Sequence, residues 1–265
     1  IFVTSHSPNF ASIAELSTLV CLVDQGGSVE AFQPRDITFD KGKREKLERY
    51  LDVTRAEIFF ARRIIFVEGA AELMLVSVLA ERAGYKLRDH GVSLISVEGL
   101  NFDCFLPLFG EKALKIPVAV ITDADPAGVD GKALYPAAGA TVAVSDNTTK
   151  MLGLQDNLVR VFYGQKTLEY DLALEPENVA TMLAALKDIH PQIGADLAAV
   201  VASAGDSTAR AKALFTGMFE RPQNNVQKGR YGQALAQALA KPGATHKVPK
   251  YILDAIAHAC QAAPA

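Results

Sequence analysis

Cysteine is scarce in this sequence: Cys21, Cys104 and Cys260 are odd in number and far apart, with no CxxC or Cys/His spacing. No zinc site is encoded in that pattern, and a reducing cytoplasm is the expected setting. Long apolar runs are missing as well. None approaches the roughly 18 residues that cross a bilayer, and the start, IFVTSHSPNF, lacks the basic region and small-residue cleavage site of a signal peptide. Neither export nor membrane insertion is expected. Internal repeats and low-complexity segments are absent too. What is present is a globular composition: 265 residues, 49% hydrophobic and 22% charged, enough for one large domain or two ordinary ones with a sizeable core. The first residue, Ile1, falls inside an apolar strand-like run, which gives the expectation of a fragment whose upstream part has been cut away.

The formal net charge of −3 is unevenly spread. Between Gly205 and Lys250 stand eight basic residues, Arg210, Lys212, Arg221, Lys228, Arg230, Lys241, Lys247 and Lys250, against Asp206 and Glu220. The local excess of +6 leaves −9 for the remainder. Taken alone, such a stretch fits a solvated helical surface as well as a phosphate-binding face, where Lys and Arg release counterions on neutralising phosphates.

Residues 1 to about 40 read as short strands, IFVTS, STLVCLVDQ and SVEAFQ, broken by Pro8 and Gly26-Gly27. In residues 41–61 the spacing of Leu47, Leu51, Ile58 and Phe59 fits a connecting helix of several turns with a charged outer face. From Arg62 the rhythm changes. RRIIFVEG is an apolar, largely β-branched strand, and AAELMLVSVLAERAG a helix stopped by Gly84. GVSLISVEG is a second strand, LNFDCFLPLFGEKAL a helical stretch bent or broken at Pro107, IPVAVITDAD a third strand, ATVAVSD a weaker fourth candidate and NLVRVFYGQ a fifth. Strands alternating with helices predict an α/β fold with a mainly parallel sheet flanked by helices. After TLEYDLALEPEN the chain turns Ala-rich, and residues 177–265 read as an additional C-terminal helical domain with a basic face.

Ligands of such sheets bind outside the carboxyl ends of the strands, and here those ends carry Glu68, Glu98 and the pair Asp123/Asp125. Pro126 and Gly128 end the third strand, so the two aspartates can turn toward one point instead of to opposite faces. Glu72 lies four residues after Glu68, in the first turn of the next helix, where both glutamates can face one crevice. A single DxD is more simply a helix cap or a loop salt bridge. Four carboxylates converging on adjacent strand ends repel one another unless a cation lies between them. Hard oxygen ligands select magnesium or manganese.

FVEGAAE followed by VITDADPAG resembles the Toprim module, the metal-binding fold of topoisomerases, bacterial primases and several nucleases. On that resemblance Glu68 is the first-motif glutamate, Asp123 and Asp125 are the DxD of the second motif, and residues 62–176 form the Toprim catalytic domain. Topoisomerase versions often carry a third acid at the same spacing, where this chain has Ala127; that weakens a topoisomerase or primase reading and puts weight on Glu72 as a ligand. IFVTSHSP is similar to the last strand and switch-histidine loop of an ABC-type ATPase, with His6 in the place of the phosphate-contacting residue and residues 1–40 as the C-terminal end of that domain. An ABC-type ATPase joined to a C-terminal Toprim domain is the layout of the OLD (overcoming lysogenisation defect) family of nucleases. LDVTRAEIFFARRIIFVEGAAE and KTLEYDLA resemble that family.

The OLD resemblance implies a metal-dependent DNA endonuclease that cleaves phosphodiester bonds with two Mg2+ or Mn2+ ions and water as the nucleophile. It implies Glu68, Glu72, Asp123 and Asp125 as ligands, with Glu169 in TLEYDL a further candidate for which a buried-turn role fits about equally. Lys228, by spacing alone a surface residue, matches a lysine that stabilises charge at phosphorus; Arg230 and Arg221 are then expected to bind the DNA backbone. The helical tail must in that case fold back over the Toprim face. DNA would be held through its phosphates with little sequence preference. No ATP is expected here, the missing upstream ATPase domain is an expected partner, and a homodimer is compatible with the full-length layout. Tyr170 and Tyr231 fit packing better than covalent catalysis, and Glu98 and Asp103 stay outside the ligand set. The rival readings are another Toprim enzyme, such as an RNA nuclease or a primase, and a non-catalytic Toprim DNA-binding or recombination regulator.

Overall fold

The computed structural model describes residues 1–130 and 132–261. Residues 1–7 carry no regular structure; α1 (Pro8–Ile13) follows, then a two-stranded antiparallel sheet of β1 (Cys21–Asp24) and β2 (Val29–Phe32). Next come α2 (Lys43–Tyr50) and a separate 3-10 turn at Arg55–Phe59. The central layer is built from β3 (Arg63–Val67), α3 (Ala70–Arg82), β4 (Val92–Ser96), α4 (Phe102–Phe105), β5 (Val118–Thr122), α5 (Asp146–Leu152), β6 (Val159–Tyr163) and α6 (Leu168–Leu174). Helices α7 (Pro176–Ile189), α8 (Pro191–Ser203), α9 (Ser207–Phe219), α10 (Lys228–Ala240) and α11 (Lys250–Gln261) complete the chain.

The four central strands pair in the order β4-β3-β5-β6, all parallel, with Ile64 opposite Val118 and Phe66 opposite both Ile95 and Val120. Side chains alternate between the faces of a strand. Ile64, Phe66, Val118 and Val120 therefore enter one core with Leu47, Phe102 and Phe105, while Ile65, Val67, Ala119 and Ile121 enter another with Leu75, Leu79, Leu235 and Ile256. Burial on both faces is why residues 64–67 of β3 and 118–121 of β5 are apolar without a break instead of at alternate positions. Each large side chain so buried contributes about 1.5–3 kcal/mol of transfer free energy.

The second core joins the sheet to the C-terminal helices: α11 covers β5 and β6, and α10 lies on α3. The helical segment is thus continuous with the sheet in packing. The α3–α10 approach is set by Gly232, where a Cβ would come 2.8 Å from that of Ala71. The last part of the expected helical domain, residues 262–265, lies outside the described residues.

Three local expectations are corrected. IFVTS is not a strand: Ile1, Phe2 and Val3 are exposed, and among the described residues no strand pairs with them. The connecting segment is not one helix. Leu51 leaves helical geometry, and Asp52 then accepts the Arg55 backbone N–H at 2.8 Å and pairs with its guanidinium at 2.7 Å, a local arrangement that competes with helix continuation. ATVAVSD forms no strand either. Both edges of β5 are taken by β3 and β6, and Ser145 instead caps α5 by accepting the Thr148 N–H at 3.2 Å.

Candidate active site

Parallel strands β3 and β5 end side by side, and the residues just beyond them are tied together. Glu68 Oε1 accepts the Thr122 hydroxyl at 2.7 Å and the Asp123 backbone N–H at 3.0 Å. Two segments far apart in sequence thus meet through one carboxylate oxygen. The Glu68 carbonyl is fixed as well, accepting from Gly99 N at 2.7 Å and Ser96 Oγ at 3.1 Å. Asp123 Oδ1 accepts the Leu168 N–H at 3.1 Å, and the Ala124 and Asp125 N–H groups donate to the Lys166 carbonyl at 3.0 and 3.2 Å. The loop before α6 therefore clamps the DxD segment. Asp125 sits at φ +42° and is exposed, turned away from the strand direction.

Glu169 in the first turn of α6 is buried, with its side chain 1% exposed. Its Oε2 accepts from the Thr167 hydroxyl at 3.1 Å and from Lys228 Nζ at 3.0 Å, while Oε1 is buried without a partner. Lys228 is the first residue of α10, four residues before Gly232 and hence on the same helix face. The close approach at Ala71 carries it to the start of α3, where Glu72 stands. The Lys228 side chain remains 45% exposed, so its ammonium faces both the carboxylates and solvent.

The charges do not balance. Burial raises the Asp123 carboxyl well above its ordinary value, and the charges of Glu68 and Glu169 push it further, with Lys228 opposing them. Burial raises Glu72 too; the hydrogen bond of its own backbone opposes this, Glu169 and Glu68 add to it, and Lys228 offsets part. Burial pulls Lys228 the other way, but Glu169, Asp123 and Glu72 outweigh it and hold the ammonium above its usual range. Among the described residues, Lys228 is the cation that Glu169, Asp123 and Glu72 act on together.

A divalent ion fits this set by chemistry: all candidate donors are hard oxygens, and among the described residues one buried oxygen of Glu169 lacks a partner, while Glu68 and Asp123 each have one oxygen held by protein donors and the other without a protein hydrogen bond. As the side chains stand, no three His, Cys, Asp or Glu among the described residues are gathered closely enough to hold an ion. Drawing them in requires side-chain rotation, with the anchored oxygens as pivots.

The other named residues divide clearly. Glu98 pairs with Arg55 at 2.5 Å, and Asp103 with Lys43 and with Lys46 at 3.0 Å. Tyr170 and Tyr231 are fully buried and donate to the Pro136 and Met182 carbonyls at 2.8 and 3.2 Å, which are packing roles. Arg230 is exposed on the first turn of α10; Arg221 is held locally, its N–H on Asn225 at 2.7 Å. Among the described residues neither arginine pairs with the carboxylates.

Sequence reasoning missed Asp171. It is buried, and its Oδ1 accepts the Gln165 and Lys166 N–H groups at 3.0 and 3.2 Å, fixing the loop that holds Asp123. Burial lifts its carboxyl to about 7; those two hydrogen bonds oppose the rise, and the charge of Glu169 adds to it. The signal available was a second acid two residues after Glu169 in TLEYDL.

Comparison with known proteins finds likeness in one segment and in the fold. Residues 59–125 match the family model "Overcoming lysogenization defect protein-like, TOPRIM domain". The C-terminal region of the Burkholderia pseudomallei OLD protein is 27% identical, with a TM-score of 0.53 over 77% of this chain and 98% of that one. That of the Xanthomonas campestris pv. campestris OLD protein is 26% identical, with a TM-score of 0.52 over 78% and 95%. No curated protein matches the chain by sequence.

Proposed function

The chain carries an OLD-like Toprim domain in the fold of OLD C-terminal regions, and from that premise we propose that it is a metal-dependent DNA endonuclease. The observation that carries the proposal is the unbalanced charge between β3, β5 and α6: four carboxylates, one lysine and a buried oxygen of Glu169 without a partner. A structural ion-pair network supplies its acid with basic partners, as around Asp103, which has two lysines.

Glu68, Glu72, Asp123 and Glu169, with Asp125 at the exposed rim, are the ligands in this reading. Two magnesium or manganese ions supply an acidified water for attack on phosphorus and offset charge on the departing oxygen. Thr122 and the Asp123 N–H hold one oxygen of Glu68, and the Leu168 N–H holds one of Asp123, so the rotation that would gather the ligands turns about fixed points. Lys228 keeps its proton, because the surrounding carboxylates raise its basicity. It therefore acts as a fixed positive charge beside the scissile phosphate, stabilising charge that builds on the phosphoryl oxygens. It is too basic to serve as the base that deprotonates water. Tyr170 and Tyr231 are buried in packing contacts, which leaves water as the nucleophile.

Nicking of a supercoiled plasmid tests this. The purified chain is expected to convert it to open circles with Mn2+ or Mg2+ and not with a chelator, and Asp123→Ala to lose that activity while remaining folded. DNA binding without nicking by the wild type in Mn2+ would assign the chain to the regulators instead.

A further inference from the structure

On one side of the carboxylate crevice, three lysines stand over a continuous group of aromatic rings. Lys166 Nζ is 4.9 Å from the Tyr135 ring centre and 5.5 Å from that of Phe215. Lys212 Nζ is also 4.9 Å from the Tyr135 ring, and Lys228 Nζ is 5.9 Å from Phe219. The rings adjoin one another, Tyr135 to Phe215 at 6.5 Å and Phe215 to Phe219 at 5.4 Å. Each such cation–ring contact contributes about 0.5–1 kcal/mol at an exposed site. It restrains a lysine without cancelling its charge.

That distinction matters because Lys166 and Lys212, unlike Lys228, have no carboxylate at ion-pair distance among the described residues. Two ammonium groups on one ring repel each other, and an anion between them relieves the repulsion. One acid at this platform, Glu220, accepts the Tyr135 hydroxyl. Lys166 also belongs to the loop whose carbonyl holds the Ala124 and Asp125 N–H groups, so the platform begins beside the DxD segment and ends at the lysine paired with Glu169.

We propose that Lys166 and Lys212, seated on Tyr135, form a phosphate-binding track that holds the DNA backbone next to the cleaved position and leads it to Lys228. The Tyr135 ring already carries two ammonium groups, so the track holds phosphates and not stacked bases, and it is indifferent to sequence. The identity of the polymer rests on the nuclease reading; the track itself rests on the placement of the lysines.

The test is fluorescence anisotropy of a labelled DNA duplex with the purified chain in chelator, over a range of salt. Lys166→Ala and Lys212→Ala are each expected to weaken binding about 3- to 10-fold and to lower the slope of log K against log salt by roughly 0.9, one phosphate's worth. Lys166→Arg restores both, and calorimetric Mn2+ binding is unchanged in all three variants. Unaltered affinity and slope in both alanine variants, or no binding by the wild type, overturns the track. Plasmid nicking read in parallel separates the two proposals. Nicking by the wild type with a salt slope independent of these lysines removes the track alone, whereas lysine-dependent binding without nicking removes the nuclease and keeps the track.

Discussion

Two groups of acids stand at the same edge of the sheet and are settled in opposite ways. After β4, Glu98 meets Arg55 at 2.5 Å, and Asp103 lies between Lys43 and Lys46. Burial works against Asp103, yet the two lysines overcome it and hold its carboxyl below the usual range. After β3 and β5, Glu72, Asp123 and Glu169 share Lys228, Glu68 adds a further negative charge, and the carboxyls of Asp123 and Glu72 are driven up. The acids are of the same types in both groups. What differs is the supply of basic residues: α2 and the 3-10 turn deliver Lys43, Lys46 and Arg55 to one group, and α10 delivers Lys228 to the other. A carboxylate at a strand end is a candidate ligand when its neighbours leave its charge unsettled, and position alone does not decide it.

Catalysis should separate the groups most sharply. Glu68→Gln and Asp123→Asn are expected to slow plasmid nicking by about 100-fold or more, in line with losses of metal ligands or their supports. Glu98→Gln and Asp103→Asn should stay within about twofold, because the residues lost only neutralise local basic groups. Equal losses in Asp103→Asn and Asp123→Asn would erase the distinction. The same contrast applies to the cations. Lys228→Ala is expected to cost about 100- to 1000-fold in rate with Mn2+ binding retained by calorimetry, and Lys46→Ala to leave the rate near wild type.

The supports of the two groups differ too, and that gives a smaller effect. Asp103 is held by flexible lysine side chains, whereas Asp123 is held by backbone from residues 164–168, itself pinned by Asp171. Asp171→Ala should release that loop and weaken Mn2+ binding about 10- to 100-fold, while Asp171→Asn, which keeps an acceptor oxygen, retains most of the affinity. Gly164 packs against the same carboxylate, where any Cβ would collide with Asp171 and with the Tyr251 ring at 2.7 Å. Gly164→Ala is therefore expected to lower stability by about 1–3 kcal/mol. Gly205→Ala, with open space around it, should be nearly neutral by thermal melting.

What could be seen in advance follows from these same forces. The two middle strands were legible because burial on both faces forces an unbroken apolar run, residues 64–67 and 118–121, and α3 because Gly84 takes the left-handed conformation, at φ +88°, that stops it. Glu68 and Asp123 were legible because a parallel sheet must place its strand ends together. The failures came where partners decide. IFVTS and ATVAVSD have strand composition, but a strand exists only through a neighbour with a free edge, and the sheet order is not written in a local pattern. Likewise the break after Tyr50 depends on Asp52 reaching back to Arg55, and the helical spacing of Leu47, Leu51 and Ile58 conceals it. Asp171 was missed because its role is to hold backbone, which leaves no spacing signature.

The smallest expected difference is one of sign. Asp103 has a lowered folded-state pKa, so the stability it contributes is present above its unfolded value and is lost as pH falls through the folded one. Asp123 has a raised one, so its contribution is present below the unfolded value and is lost as pH rises through the folded one. In chelator at neutral pH, Asp103→Asn should therefore melt below wild type and Asp123→Asn above it, each gap narrowing as the solution is acidified. Both gaps are on the order of 1 kcal/mol or less, the Asp103 one the smaller because its side chain is 35% exposed and solvent screens the pair. Saturating Mn2+ should then reverse the order for Asp123→Asn alone, since an ion that binds only the folded wild type adds stability that the variant cannot gain. Shifts of the same sign in both variants at neutral pH would mean that the two acid groups share one electrostatic environment after all.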